Sequence, residues 1–144
     1  VKQKITIEIA CSLLILLFIY AAFSKLFDYK TFQQQLKASA LLHPFFPILA
    51  WAVPLIEIGI SLMLIIDRTR LLGLYASLLI LLLFTIYIII MLFSVSHLPC
   101  SCGGIIKKLS WRQHIAFNSA FIFLTALTIQ LLKKQKILLY NNVQ

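Results

Sequence analysis

At 144 residues, 62% of them hydrophobic, and with a mean hydropathy of +1.01, the chain is far more apolar than the roughly 45–50% typical of a soluble domain. A water-soluble fold is excluded. The formal net charge of +9 would suit a nucleic-acid binder, but Lys and Arg lie almost wholly between apolar runs and at the chain ends, where membrane proteins carry headgroup contacts and topology signals, so the partner implied is a lipid bilayer and not nucleic acid.

Four runs have the length of about 20 residues that crosses a hydrocarbon core as a helix: Ile5–Phe23, Ile48–Ile66, Leu71–Phe93 and Trp111–Leu132. With short connections they imply an all-α fold, an integral membrane four-helix bundle forming a single transmembrane domain over 1–144. Lys2 and Lys4 before the first run give it the look of a signal peptide, but Tyr20-Ala21-Ala22 is a poor cleavage site and three further spans follow, so it reads as a retained helix. Glu8 sits near its start, where the helix dipole favours an anion. Cys11 reads as a small packing residue, and Lys25 at the far end is placed to snorkel to the interface.

Between Phe27 and Leu42 the pattern changes. Tyr29, Phe32, Leu36 and Ala40 share one helical face, while Lys30, Gln33, Gln34 and Lys37 share the other. This predicts a short amphipathic helix in the membrane surface between the first and second spans; a loop that alternates by chance is the alternative. His43 reads as a surface residue, and Pro44 and Pro47 end the segment and start the second span. Inside that span, Pro54 leaves the carbonyl of Ala50 without its helical donor. One turn deeper, Glu57 is an intramembrane acid, costly unless paired or protonated, and two readings of it stand together: a functional site, or a neutral carboxyl bonded between helices.

The turn Asp67-Arg68-Thr69-Arg70 makes the second and third spans an antiparallel hairpin. The third carries no charge and is silent on function. Ser110 with Gln113 forms a capping box that starts the fourth span at about Trp111. From there Trp111, His114, Asn118, Phe121 and Thr125 recur at spacings of three and four, a partly polar stripe expected to face the bundle. Lys133, Lys134 and Lys136 end the span. Four crossings put both termini on one side with Lys2, Lys4, Arg68, Arg70, Lys133, Lys134 and Lys136, against Lys25, Lys30, Lys37, Lys107, Lys108 and Arg112 on the other. The dense two-arginine turn favours cytoplasmic termini.

That orientation places Cys100 and Cys102 outside, where disulfides persist. Gly103-Gly104 after them permits a sharp turn, and a bridge across so few residues is strained and labile. Lys107, Lys108, Arg112, His114 and the start of the fourth span all favour the thiolate. Half of a zinc site completed by another chain, or a structural turn with two incidental thiols, remain as alternatives. Cys11 has no mate and lies by helical rise towards the opposite end, so any redox cycle needs a quinone-like acceptor or a partner protein.

Ala22-Phe23-Ser24-Lys25-Leu26, Pro54-Leu55-Ile56-Glu57 and Pro99-Cys100-Ser101-Cys102-Gly103-Gly104 together resemble the methylamine-utilisation MauE family within the DoxX-like superfamily of small membrane proteins. The resemblance covers about Ile5 to Leu132. It implies a four-helix protein of the bacterial inner membrane, linked to disulfide formation or thiol redox in periplasmic proteins, working beside a thioredoxin-like partner. The family's namesake is an accessory in maturing the disulfide-rich small subunit of methylamine dehydrogenase. The family's usual Cys-x-Cys-Phe-Gly stands here as Cys102-Gly103-Gly104 after Cys100-Ser101, which loosens the tie to that client.

The leading expectation is a thiol–disulfide protein, possessing oxidoreductase activity or serving one. Cys100 and Cys102 exchange with the thioredoxin-like partner, Lys107, Lys108 and Arg112 hold the thiolate, and His114 moves the proton. Glu57, Asn118 and Lys25 form an intramembrane polar pocket, a candidate quinone site. The second expectation is a non-enzymatic subunit of a larger membrane complex, its cysteines stapling a loop. A third, a quinol oxidase subunit, lacks support because no histidine pattern within the spans resembles haem or copper ligation.

Overall fold

The computed structural model describes residues 2–39, 42–94 and 111–141. These form five α-helices and one short 3₁₀ turn: α1 (Lys2–Phe27), α2 (Tyr29–Ala38), the turn His43–Phe45, α3 (Phe46–Ile65), α4 (Arg70–Ser94) and α5 (Trp111–Asn141). Four of them, α1, α3, α4 and α5, are long and apolar enough to cross a membrane, so the expected all-α membrane architecture is observed.

The four long helices form a ring in the order α1–α3–α4–α5. α1 packs most extensively on α3 and α4 on α5; contacts of α3 with α4 and of α1 with α5 close the ring. Two interactions fix which ends meet. The Gln3 side-chain amide donates to the Leu131 carbonyl (3.1 Å), and the Arg70 guanidinium bonds Glu8 (3.0 Å) and Asp67 (2.7 Å). The start of α1, the α3–α4 turn and the latter part of α5 therefore share one end of the bundle, the terminal end. Arg70 also donates from Nε to the Leu64 carbonyl (3.1 Å), so a single side chain ties the turn to α3 and to α1. Glu8, expected only to complement a helix dipole, has a specific cationic partner.

The helix limits depart from expectation in three places. α1 continues through Lys25 to Phe27, because nothing between Phe23 and Phe27 breaks a helix, and α2 follows after Asp28 alone. Pro47 lies inside the first turn of α3, where its missing N–H costs nothing. α5 runs past Leu132 to Asn141. The lysines limit the apolar span, but Lys and Gln are good helix formers and there is no Gly or Pro to stop the backbone.

α2 has the expected faces: Leu36 is buried, Tyr29 and Phe32 half-buried, and Lys30, Gln34 and Lys37 exposed. Its contacts set its direction. The Tyr29 ring lies 5.1 Å from that of Trp51, and the Lys37 ammonium sits 4.7 Å over Phe46. α2 thus runs antiparallel along the first turns of α3. Ala40 lies outside the described residues.

The largest apolar cluster lies towards the terminal end. Ile7, Cys11, Leu14 and Phe18 of α1 pack with Ile60, Leu64, Leu74, Leu81, Ile129 and Leu132 in a core filling the terminal half. Cys11 is a packing residue of this core. The α3–α4 hairpin closes here over Gly73, where an added Cβ would sit 3.1 Å from backbone atoms of Met63 and Leu64. Backbone cannot yield as a side-chain tip can. Gly73→Val should therefore lower the unfolding free energy in mixed micelles by about 1–3 kcal/mol. Gly59→Ala, where the new methyl meets nothing within 4 Å, should be neutral or slightly stabilising; equal behaviour of the two variants would contradict the close approach.

Candidate functional site

The half of the bundle away from the terminal end, the distal half, holds the buried carboxylate, imidazole and amide side chains, Glu57, His114 and Asn118. On α3 the buried positions Ala50, Pro54, Glu57, Ile60, Ser61 and Leu64 recur every three or four residues, so the sequence that makes the core face also turns Glu57 inwards. Glu57 meets Lys25. The ammonium lies 2.7 Å from Oε1, with the two side chains 13% and 8% exposed, and donates a second bond to the Ala21 carbonyl (3.2 Å). Ala22, fully buried beside them, leaves room for the approach of the helices.

Of the two expectations for Lys25, a snorkelling headgroup contact and a place in the polar pocket with Glu57, its side chain adopts the second position beside Glu57. In a low-dielectric interior an unpaired carboxylate is costly, and an ammonium within reach gains more from it than from the headgroup region. Lys25 folds back by about a turn to make the pair. The Phe32 ring of α2 lies 6.0 Å from the same ammonium, covering the pair from the distal side. Sequence reasoning missed Phe32 in this role, although its place on the apolar face of α2, two turns beyond Lys25, was the available signal.

α5 supplies the other wall. His114, Asn118 and Thr125 are buried, so the stripe faces the bundle. Starting from the Gln3–Leu131 bond and counting back along α5, His114 comes level with Tyr20 of α1 to within about a turn at 1.5 Å rise per residue. Lys25 Nζ, bonded to the Ala21 carbonyl, lies at that same depth. The Lys25–Glu57 pair and His114 thus share a level, with Asn118 one turn deeper. Arg112, in the first turn of α5, is exposed, as is His43. Cys100, Cys102, Lys107, Lys108 and Ser110, with the remaining expectations attached to them, lie outside the described residues.

Most interior hydroxyls are satisfied locally. Ser61, Ser77, Thr85, Thr125 and Thr128 each donate to the carbonyl four residues back, at 2.7–2.9 Å. Chemically, the distal half therefore offers a neutralised carboxylate with Oε2 to spare, a buried imidazole and a buried amide, beneath the point where α4 ends and α5 begins.

The family model described as "Methylamine utilisation protein MauE" matches residues 3–131, a stretch that takes in α1 to α4 and most of α5. No curated protein and no solved structure matches the chain.

The pair makes a stability prediction. Lys25→Met strands a buried carboxylate and should cost about 3–5 kcal/mol of unfolding free energy, while Lys25→Met with Glu57→Leu should recover most of the loss. Unfolding in mixed micelles of both single variants and the double checks this. Additive losses would show that the two groups are not coupled.

Proposed function

The chain belongs to the MauE family of methylamine utilisation proteins, and from that premise we propose that it supports thiol–disulfide exchange in periplasmic proteins through Cys100 and Cys102, from the bacterial inner membrane. The termini are cytoplasmic, and the Cys100/Cys102 segment faces the periplasm. A thioredoxin-like protein is the direct partner, and the two work within a larger membrane complex.

The observation that carries this reading is the start of α5. The segment with the two cysteines leads directly into a helix whose first turn bears an exposed Arg112 and a buried His114, at the end of the bundle where Glu57 and Asn118 are also buried. Arginine and the positive end of a helix dipole both favour thiolate over thiol. Lys107 and Lys108 add to that field, and His114 takes or returns the proton. Exchange runs through a mixed disulfide: a thiolate of one protein attacks a sulfur of the other's bridge, and the second thiol of the attacking pair resolves it. One bridge is reduced as the other forms, so two electrons and two protons pass between the proteins, in the direction set by their reduction potentials.

The test is trapping. In cells producing Cys100→Ser or Cys102→Ser, the variant that keeps the attacking sulfur should accumulate a reductant-sensitive adduct with a thioredoxin-like protein, seen on non-reducing gels and by mass spectrometry. The double variant should form none. Absence of any adduct in both single variants, with normal disulfide content in periplasmic proteins, would overturn the proposal.

A further inference from the structure

The terminal end carries more positive charge than its own acids balance. Seven basic residues belong to it, the lysines near the two chain ends and the arginines of the α3–α4 turn, against the acids Glu8 and Asp67. Both acids bond Arg70. Lys133 and Lys134 are exposed, so their charge is open to a partner outside the fold.

The faces of α5 show where such a partner sits. Thr125, Thr128, Ile129 and Leu132 are buried and form the inner face. Phe123, Leu127, Gln130 and Lys134, at steps of four, three and four, are exposed on the opposite side. Within about three turns the outer face passes from apolar side chains to an amide and then to an ammonium, the order in which a phospholipid presents its acyl chain, ester and phosphate. Lys133 lies at the edge of this face. Its ammonium sits 5.3 Å over the ring of Tyr75 of α4, which is 41% exposed. A cation held over a ring is fixed at the seam between α4 and α5, whereas a snorkelling lysine follows the headgroups. Leu79, one turn deeper on α4, is exposed as well, so the seam continues into the span as an apolar track.

Charge selects the lipid. A zwitterionic headgroup brings its own ammonium towards the two lysines, while an acidic one brings net negative charge alone. A soluble acidic protein meets the lysines but does not reach Gln130 and Leu127, which lie within the span. We propose that the α4–α5 seam at the terminal end is a binding site for an acidic phospholipid. Lys133 and Lys134 hold its phosphate, the Tyr75 hydroxyl and the Gln130 amide donate to its phosphate or ester oxygens, and Leu79 and Leu127 line its acyl chain. The proposal stands apart from the thiol reading, since no cysteine takes part.

The test is native mass spectrometry of the purified full chain in detergent, titrated with dioleoylphosphatidylglycerol or dioleoylphosphatidylcholine. The first phosphatidylglycerol should bind about tenfold more tightly than phosphatidylcholine, the equivalent of about 1.4 kcal/mol. Lys133→Gln with Lys134→Gln should bring the two affinities together. Lys30→Gln with Lys37→Gln takes the same charge from exposed positions of α2 and should leave the preference unchanged. Tyr75→Leu keeps every charge but removes the ring and hydroxyl, and should lower the preference about threefold. The lysine variants should unfold as the wild type does without lipid, because their side chains are exposed. Equal loss from the two lysine pairs, or full preference in Tyr75→Leu, would reduce the site to diffuse charge and overturn it. Equal lipid affinities in the wild type, with tight binding of polyglutamate, would overturn it in favour of an acidic protein partner.

Discussion

A carboxylate in a hydrocarbon-enclosed bundle needs a counter-charge, and much of the distal half is arranged to give Glu57 one. Lys25 lies in the last turn of α1 and reaches back to the depth of Ala21 to do so. α2 begins four residues later and lays Phe32 over the ammonium, its direction set by Tyr29 on Trp51. The short α1–α2 junction, the antiparallel run of α2 along α3 and the buried Pro54 one turn from Glu57 all bear on the same pair. Replacing such a pair by apolar side chains is often stabilising, so its presence in so small a bundle argues for use as well as structure.

The placement of the buried ionisable and amide groups supports this. The terminal half is filled by aliphatic side chains and closed by Gly73 and by the Arg70 network, which ties three helical segments together. The distal half holds Lys25, Glu57, His114 and Asn118, groups that cost free energy to bury. A rigid apolar half carrying a polar half at one end is a scaffold for chemistry at that end, and the segment with Cys100 and Cys102 joins α4 to α5 there.

The four spans were legible because a run of some twenty apolar residues is a property of composition, indifferent to tertiary detail. The α5 stripe was legible because a period near 3.6 marks one face, and His114, Asn118 and Thr125 are buried on it. The sequence placed Lys25 and Glu57 in one polar pocket, but their ion pair was not legible. The residues are 32 apart in sequence, and only the register of α1 on α3 brings them together. Read alone, Lys25 belonged at the interface. The run of α5 beyond Leu132 was missed because charge ends a membrane span, whereas a helix ends only at a breaker. Arg70–Glu8 was hidden for the same reason as Lys25–Glu57: a contact between distant positions leaves no local trace.

The central claim is that Cys100 and Cys102 form a redox-active pair on the periplasmic side, at the polar end of the bundle. The most direct test is labelling of intact cells with a membrane-impermeant maleimide, with and without prior reductant, in a Cys11→Ser background. The account predicts little labelling before reduction and labelling of both Cys100 and Cys102 after it. Full labelling without reductant, or none until the cells are opened, would contradict it.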